Sequence, residues 1–143
     1  MGDQASETLV VTAPIDHVFA TIADVEQYPQ WANVSTVDVI ERDGEGRPSD
    51  VKFSADFSGR TSTYTLRYDW SKAPEVVSWS QSSGDLTSRV DGSYELAAKG
   101  DGTEVRYSLS VDLKVPLPSF IKRRAESRII GTALRGLQTR VEV

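Results

Sequence analysis

The sequence of 143 residues contains no cysteine and only one histidine, His17. The absence of cysteine excludes disulfide bonds, thiolate metal sites and a cysteine nucleophile. With a single histidine, a tight zinc site is not expected either. No serine, cysteine or paired carboxylate has a spacing that marks His17 as a catalytic base, so a nucleophilic triad cannot be assembled.

Long apolar runs are also missing. None approaches the about 20 residues that a membrane-spanning helix needs, and the amino terminus has no basic region followed by an apolar one, as a secretory signal would. The chain has no glycine-rich phosphate loop, and we interpret Gly44-Glu45-Gly46 as a hairpin turn. We therefore expect a soluble, cytoplasmic protein without a cofactor.

The net charge of −5 is unevenly distributed along the chain. Residues 114–143 carry seven basic and two acidic side chains, which gives this segment a charge of +5 and the remainder −10. The acidic total disfavours nucleic-acid binding, and it leaves a local basic patch near the carboxyl terminus.

The length and the even composition predict one domain over residues 1–143. A chain of this size hides about 68–70% of the surface that it exposes when unfolded. It can therefore form a core and still leave room for a cavity.

Most of the chain alternates between apolar and polar residues, which predicts an antiparallel sheet with one dry face and one wet face. Seven strands are expected, at residues 7–12, 36–42, 50–57, 61–70, 76–81, 86–96 and 103–113. Two short helices are predicted between the first two strands, at residues 14–23 and 24–28, and Pro29 ends the second. Short connections favour hairpins between neighbouring strands.

Residues 118–143 are predicted to form one long helix. Such a helix must lie against the curved face of the sheet, and a sheet wrapped around a single helix often leaves space between them. That space points to a small-molecule pocket. On the helix, one side carries the apolar residues Ile129, Ile130, Ala133, Leu134, Leu137 and Val141.

The opposite side of this helix carries Arg124, Arg128 and Arg135. These arginines form either a solvated face or a surface that contacts anionic lipid or an acidic partner. Peripheral contact with a membrane is therefore an open alternative.

The first turns of the helix place Lys122, Arg123 and Glu126 on the apolar side. Because charges are not buried unpaired, we expect this part of the helix to lie at an opening, with Phe120 and Ile121 as an apolar rim. A basic mouth suits a ligand with an apolar body and a carboxylate or phosphate end. The alternative is a kink or a later helix start that turns these residues into water.

The inward-facing polar groups are tyrosines and Gln81, and these are the only candidates for acid–base chemistry on that face. Buried tyrosines more often serve core packing, with the hydroxyl hydrogen-bonded. The same applies to Trp70 and Trp79, whereas Trp31 is expected to cover one end of the sheet.

Several segments together resemble the START-like, helix-grip superfamily (SRPBCC), in particular its polyketide cyclase/dehydrase branch. These segments are residues 9–14, 18–31, 77–79, 92–96, 102–105 and the long last helix. The resemblance implies an α+β helix-grip fold, in which a seven-stranded antiparallel sheet wraps around the carboxy-terminal helix over a deep apolar cavity. It does not indicate one activity, since members include lipid carriers, cyclases, hormone receptors and quinone-binding proteins, and no catalytic residue of the cyclases maps onto this sequence.

The preferred hypothesis is a carrier or sequestering protein that binds a hydrophobic small molecule, such as a lipid, polyketide or isoprenoid-like compound. The predicted ligand-binding residues are Val51, Phe53, Tyr64, Leu66, Tyr68, Trp79, Gln81, Tyr94, Tyr107, Leu109, Phe120, Ile121, Lys122 and Arg123. One alternative is a cyclase or dehydratase that positions a reactive chain and uses tyrosine or glutamine as weak acids. Another is an interaction module that uses the basic face of the last helix. The sequence does not specify the ligand or the oligomeric state.

Overall fold

The computed structural model describes residues 4–32, 34–57 and 59–142, with the side chain of Phe57 excepted. The strands are β1 (Ala5–Val11), β2 (Thr36–Arg42), β3 (Pro48–Phe57), β4 (Arg60–Asp69), β5 (Val76–Gly84), β6 (Thr87–Lys99) and β7 (Gly102–Leu113). The helices are α1 (Ile15–Ala23), a 3₁₀ helix (Val25–Gln30) and α2 (Ser119–Val141). The predicted α+β helix-grip architecture is confirmed.

The seven strands form one antiparallel sheet in the order β1-β7-β6-β5-β4-β3-β2. Strands β2 to β7 follow one another as hairpins, as the short connections predict. β1 completes the sheet by pairing with β7, so that Ala5 lies opposite Leu109 and Val11 opposite Thr103. The first and last strands of the chain are therefore neighbours.

One end of the sheet brings several connections together. The pairs Phe57–Arg60, Tyr64–Gly84 and Thr87–Leu113 place the β3–β4 turn, the β5–β6 turn and the end of β7 at the same end of the strands. Residues 114–118 continue from β7 at this end and lead into α2. We call it the elbow end.

Helix α2 lies across the concave face of the sheet with the predicted apolar side inward. Ile130, Ala133, Leu134, Leu137 and Val141 are all buried. The observed helix begins one residue later than predicted, and the last predicted residue, Val143, lies outside the described residues.

The second half of α2 packs against the segment that follows the 3₁₀ helix. A Cβ atom on Gly136 would lie 2.0 Å from the carbonyl oxygen of Trp31, so only glycine allows this close approach. The Trp31 ring packs edge-on against Tyr28, with ring centroids 5.0 Å apart. The Tyr28 hydroxyl donates a hydrogen bond of 2.5 Å to the carbonyl oxygen of Ile22, one of the free carbonyl groups at the end of α1.

Candidate ligand-binding cavity

A cavity of about 110 Å³ lies between the sheet and α2. Its wall is formed by strands β3 to β7, by the middle of α2 and by part of the segment 28–34. All five tyrosines of the chain line it, namely Tyr28, Tyr64, Tyr68, Tyr94 and Tyr107. The wall is therefore mostly apolar and rich in aromatic rings that each carry one hydroxyl group.

The rings on the strand side are packed against one another. Trp79 contacts Tyr68, Tyr94 and Tyr107, with ring centroids 5.7, 5.5 and 5.8 Å away, respectively. Tyr94 and Tyr107 lie side by side at 4.6 Å, on paired positions of β6 and β7. Such contacts stabilise aromatic clusters and keep the rings in defined orientations.

Gly92 determines how Trp79 lies in this wall. A Cβ atom at residue 92 would be 2.6 Å from Cζ2 of Trp79 and 2.7 Å from the carbonyl oxygen of Ser108. The glycine thus lets the indole lie directly on β6. Without it, the indole would have to move towards the cavity.

Burial keeps the tyrosine hydroxyls protonated. It raises the pKa of Tyr64 to about 12 and raises the pKa values of Tyr28, Tyr68, Tyr94 and Tyr107 well above the ordinary value, with nearby tyrosines adding to each of these four shifts. The wall therefore presents neutral hydrogen-bond donors, and none of these phenols is suited to act as a base near neutral pH.

The hydroxyls differ in their partners. The Tyr28 hydroxyl donates its hydrogen bond to the carbonyl oxygen of Ile22. Within residues 4–32, 34–57 and 59–142, no hydrogen bond to a protein group is found for the hydroxyls of Tyr64, Tyr94 and Tyr107. These three remain able to bond to a guest.

The cavity wall carries little charge. Its one carboxylate is the exposed Asp56 at the elbow end, and no lysine, arginine or histidine lines it in the part of the chain that the structure describes. Because an unpaired charge is costly to bury, this wall favours a neutral guest. The expectation of a basic mouth for a carboxylate or phosphate end finds no counterpart here.

The cavity wall extends to the elbow end, where it includes the exposed Asp56. Ala55 and Ser62, which flank the β3–β4 turn, are buried, and Leu113 ends β7. The adjacent β5–β6 turn is held by Asp85, which accepts hydrogen bonds from the backbone N–H groups of Thr63 and Leu86 at 3.0 and 2.6 Å. These backbone donors, that of Thr63 first, lower the pKa of Asp85.

Eight of the fourteen predicted ligand-binding residues lie on the cavity wall: Phe53, Tyr64, Leu66, Tyr68, Trp79, Tyr94, Tyr107 and Leu109. The alternation along β3 to β7 placed them correctly on the concave face. Their contact with a ligand stays a prediction.

The other six do not line the cavity. Val51 is buried in the core away from it, and the Gln81 side chain lies along the sheet, where it donates to the carbonyl oxygen of Thr87 and accepts from the Thr87 hydroxyl. Phe120 and Ile121 are 67% and 40% exposed at the start of α2. Arg123 is exposed as well.

Lys122 and Glu126 form an ion pair beside the cavity rather than at its mouth. The Glu126 carboxylate is completely buried and accepts hydrogen bonds from the backbone N–H of Val111 at 2.8 Å and from Lys122. Lys122 also lies 3.7 Å from Asp112, in an adjoining groove that is lined by Pro116 and Leu117 among others and shares Val111 and Leu113 with the cavity wall. The expectation that Glu126 would lie at an opening is therefore wrong, because a lysine one turn away and a strand N–H both bond to its Oε2 atom, while Oε1 has no partner among the described residues.

Some wall residues escaped sequence reasoning. Tyr28 and Val34 come from irregular segments that show no periodicity, so no signal marks them. Val90 continues the alternation of Gly92 and Tyr94 by one step, and Ile129 lies on the apolar side of α2. These two could have been found from the pattern alone.

The basic face of α2 is as predicted in position. Arg124, Arg128 and Arg135 are all exposed. Whether this face has a partner stays a prediction. None of the helices in the described ranges is long and apolar enough to cross a membrane.

Residues 3–142 match the family model described as polyketide cyclase/dehydrase and lipid transport. The chain belongs to this family. The polyketide cyclase/dehydrase and lipid transport family thus accounts for the whole helix-grip domain, with its START-like fold, and the resemblance inferred from the residues is confirmed. No curated protein matches the chain by sequence.

Solved structures of similar fold cover nearly all of this family member. A START superfamily protein from Mycobacterium smegmatis is 22% identical, with a TM-score of 0.91 and 97% of each chain covered. The Zhui aromatase/cyclase from Streptomyces sp. R1128 is 18% identical, with a TM-score of 0.70 over 96% of this chain and 90% of its own. A STAR-related lipid transfer protein from Xanthomonas axonopodis is 16% identical, with a TM-score of 0.74 over 98% of this chain and 86% of its own. At these identities the likeness establishes the fold alone.

Proposed function

We propose that this protein binds a hydrophobic small molecule in the cavity between the sheet and α2, as a carrier or sequestering protein of the cytoplasm. The observation that carries the proposal is the cavity of about 110 Å³ with its aromatic, almost uncharged wall. Small-molecule sites are typically concave and apolar with a few polar groups that orient the ligand. The tyrosine hydroxyls provide such groups.

The cavity volume limits which ligands fit without rearrangement. A dry protein cavity of about 150 Å³ can hold benzene, whereas sites for drug-sized ligands measure about 300–1,000 Å³. A lipid, a polyketide or an isoprenoid-like chain therefore requires the wall to move outward. The segment 114–118 at the elbow end is exposed, so widening there would disrupt few buried contacts, although it would break the hydrogen bond from the Lys114 N–H to the carbonyl oxygen of Leu86.

Tryptophan fluorescence tests binding, because only Trp79 of the three tryptophans lines the cavity. We expect emission to change when a lipid extract or a pool of small aromatic compounds is titrated into the protein. The response should disappear in Trp79→Phe and persist in Trp31→Phe, which keeps the reporter in the wall. The proposal fails if neither pool changes the emission of the wild-type protein and native mass spectrometry of protein from its own host finds no bound molecule.

A second candidate is a cyclase or dehydratase, favoured by the tyrosine hydroxyls on the wall. With raised pKa values these phenols stay protonated near neutral pH and cannot act as bases there, so rate enhancement would come mainly from holding a reactive chain in position. Tyr68→Phe should then lower turnover of a poly-β-ketone chain while the protein remains folded. Unchanged turnover in Tyr68→Phe and in Tyr94→Phe would remove the candidate.

A further inference from the structure

The wall of the same cavity also indicates which class of ligand it binds. This inference rests on the proposed function. Tyr94 and Tyr107 are 3% and 7% exposed, yet neither hydroxyl is bonded to a protein group in the described residues. Neither hydroxyl oxygen is among the fully buried polar atoms without a partner, so both are open to the cavity rather than sealed in the core. Two such donors on adjacent rings thus mark a polar spot in an otherwise apolar wall.

The two tyrosine rings lie next to each other on adjacent strands. Tyr94 on β6 and Tyr107 on β7 are directly opposite in the sheet, and their ring centroids are 4.6 Å apart. Trp79 contacts both rings, which fixes their orientation. Two donors held side by side match one oxygen with two lone pairs, as in a carbonyl group.

The other features of the wall disfavour ligands that are charged or long. The carboxylate at the elbow end repels an acidic ligand, and no cationic side chain lines the described wall. An acid or a phosphate would thus be buried without a counter-ion. The volume of about 110 Å³ is smaller than the about 150 Å³ of a cavity that holds benzene, so the largest ligand that it can take with little rearrangement is one small ring.

We propose that the cavity binds a compact, uncharged ring compound with a carbonyl oxygen, and that the hydroxyls of Tyr94 and Tyr107 donate hydrogen bonds to that oxygen. The ring occupies the aromatic space beside Trp79. The site therefore discriminates a cyclic ketone from a hydrocarbon of the same shape.

A matched pair of probes tests this assignment. Cyclohexanone and methylenecyclohexane have the same shape, but only the ketone has an acceptor. We expect the ketone to bind the wild-type protein about 3- to 10-fold more tightly in an NMR titration, as one or two neutral hydrogen bonds allow. In Tyr94→Phe/Tyr107→Phe the ratio of the two affinities should fall to about 1, while the hydrocarbon still binds.

Thr103→Val is the control variant. It also removes one buried hydroxyl, which donates to the carbonyl oxygen of Ala13, but it lies outside the cavity. The ketone preference should be unchanged in this variant. Cyclohexanecarboxylate and dodecan-2-one, which add a charge and length, should bind more weakly than cyclohexanone.

The outcomes separate this inference from the proposed function. Equal affinity for ketone and hydrocarbon, a preference that survives in the double variant, or tighter binding of the acid or the long ketone would overturn the inference and leave cavity binding intact. Failure of all four probes, together with no response to the lipid and aromatic pools, would overturn both.

Discussion

Glu126 is buried, although its position on the helix predicts that it lies at an opening. Its carboxylate accepts the backbone N–H of Val111 at a point of β7 beyond Leu109, where the described part of β1 no longer pairs. Lys122, one turn earlier, neutralises it. The residue therefore fastens the first half of α2 to the end of β7.

We expect Glu126→Ala to lower the free energy of unfolding by about 2–3 kcal/mol, because it removes a buried acceptor from both Val111 and Lys122. The loss is smaller than for a fully buried pair, since Lys122 keeps access to water and to Asp112. Urea denaturation measures it. Glu126→Gln, which keeps an acceptor for Val111, should lose less, and Arg123→Ala on the exposed turn should remain within about 0.5 kcal/mol of wild type. Equal stability of Glu126→Ala and Arg123→Ala would refute this role.

Gly92 offers a second test at the level of one residue. Gly92→Ala places a methyl group 2.6 Å from Trp79 and 2.7 Å from the backbone of Ser108, so one of them must move. We expect a destabilisation of about 1–3 kcal/mol and a shifted tryptophan emission. Gly44→Ala is the matched control, since nothing lies within 4 Å of its added Cβ. If Gly92→Ala and Gly44→Ala have the same stability and the same tryptophan emission, the position of Trp79 does not depend on Gly92.

The packing of α2 depends on one close contact, between Gly136 and the carbonyl oxygen of Trp31. In Gly136→Ala the new methyl group meets the carbonyl oxygen of Trp31, which is backbone and cannot swing away. We expect α2 to be pushed from this segment, at a cost of about 1–3 kcal/mol in thermal or urea unfolding.

Gly131, in the same helix, has different surroundings. An added Cβ meets only the flexible end of Arg135, at 3.0 Å. Gly131→Ala should therefore be neutral or stabilise by up to about 1 kcal/mol through helix propensity. The two substitutions are chemically identical, so a similar effect of both would contradict the packing argument.

The elements differ in how far the sequence predicts them. Strands such as β4 and β7 alternate strictly, so their inward residues Tyr64, Tyr68 and Tyr107 follow from the pattern. The 3₁₀ helix has no such period, and Tyr28 was therefore missed as part of the cavity. Phe120 and Ile121 are predicted to form a rim because they lie beside the charged first turns of α2. They are exposed and do not line the cavity, since the spacing of apolar residues along a helix does not show where its contact with the sheet begins.

The sequence pattern predicts that a cavity exists between the sheet and α2, but it does not predict the volume of that cavity. The sheet order and the covering helix follow from short connections and amphipathic faces. The volume depends on how the rings of Trp79, Tyr94 and Tyr107 stack, and stacking is a matter of rotamers that no spacing encodes.

The concentration of all five tyrosines in the cavity predicts a pH dependence. Their pKa values are raised in the folded state above the unfolded value of about 10, so both states are protonated below that pH and the stability is fully present. Above about pH 10 the unfolded state releases its protons first, and stability is lost as the pH rises through the folded pKa values. For Tyr64 this window runs from the unfolded value to about 12.

We expect urea midpoints to be unaffected by tyrosine ionisation up to about pH 9 and to fall steeply above about pH 10. Tyrosinate absorbance should stay low in the native protein until it unfolds, whereas the chain in urea should titrate normally. Tyr64→Phe should make the decline shallower. Native protein that develops full tyrosinate absorbance at about pH 10 without unfolding would show that these phenols are open to water.

The pairing of Ala5 with Leu109 has a consequence for how the chain acquires its fold. During synthesis the first strand must wait for about a hundred residues before its partner strand leaves the ribosome. Until then it is an unpaired strand with open backbone N–H and C=O groups that other chains could capture. The sheet can thus be closed only after β7 has been made, and β1 stays without its partner strand until then.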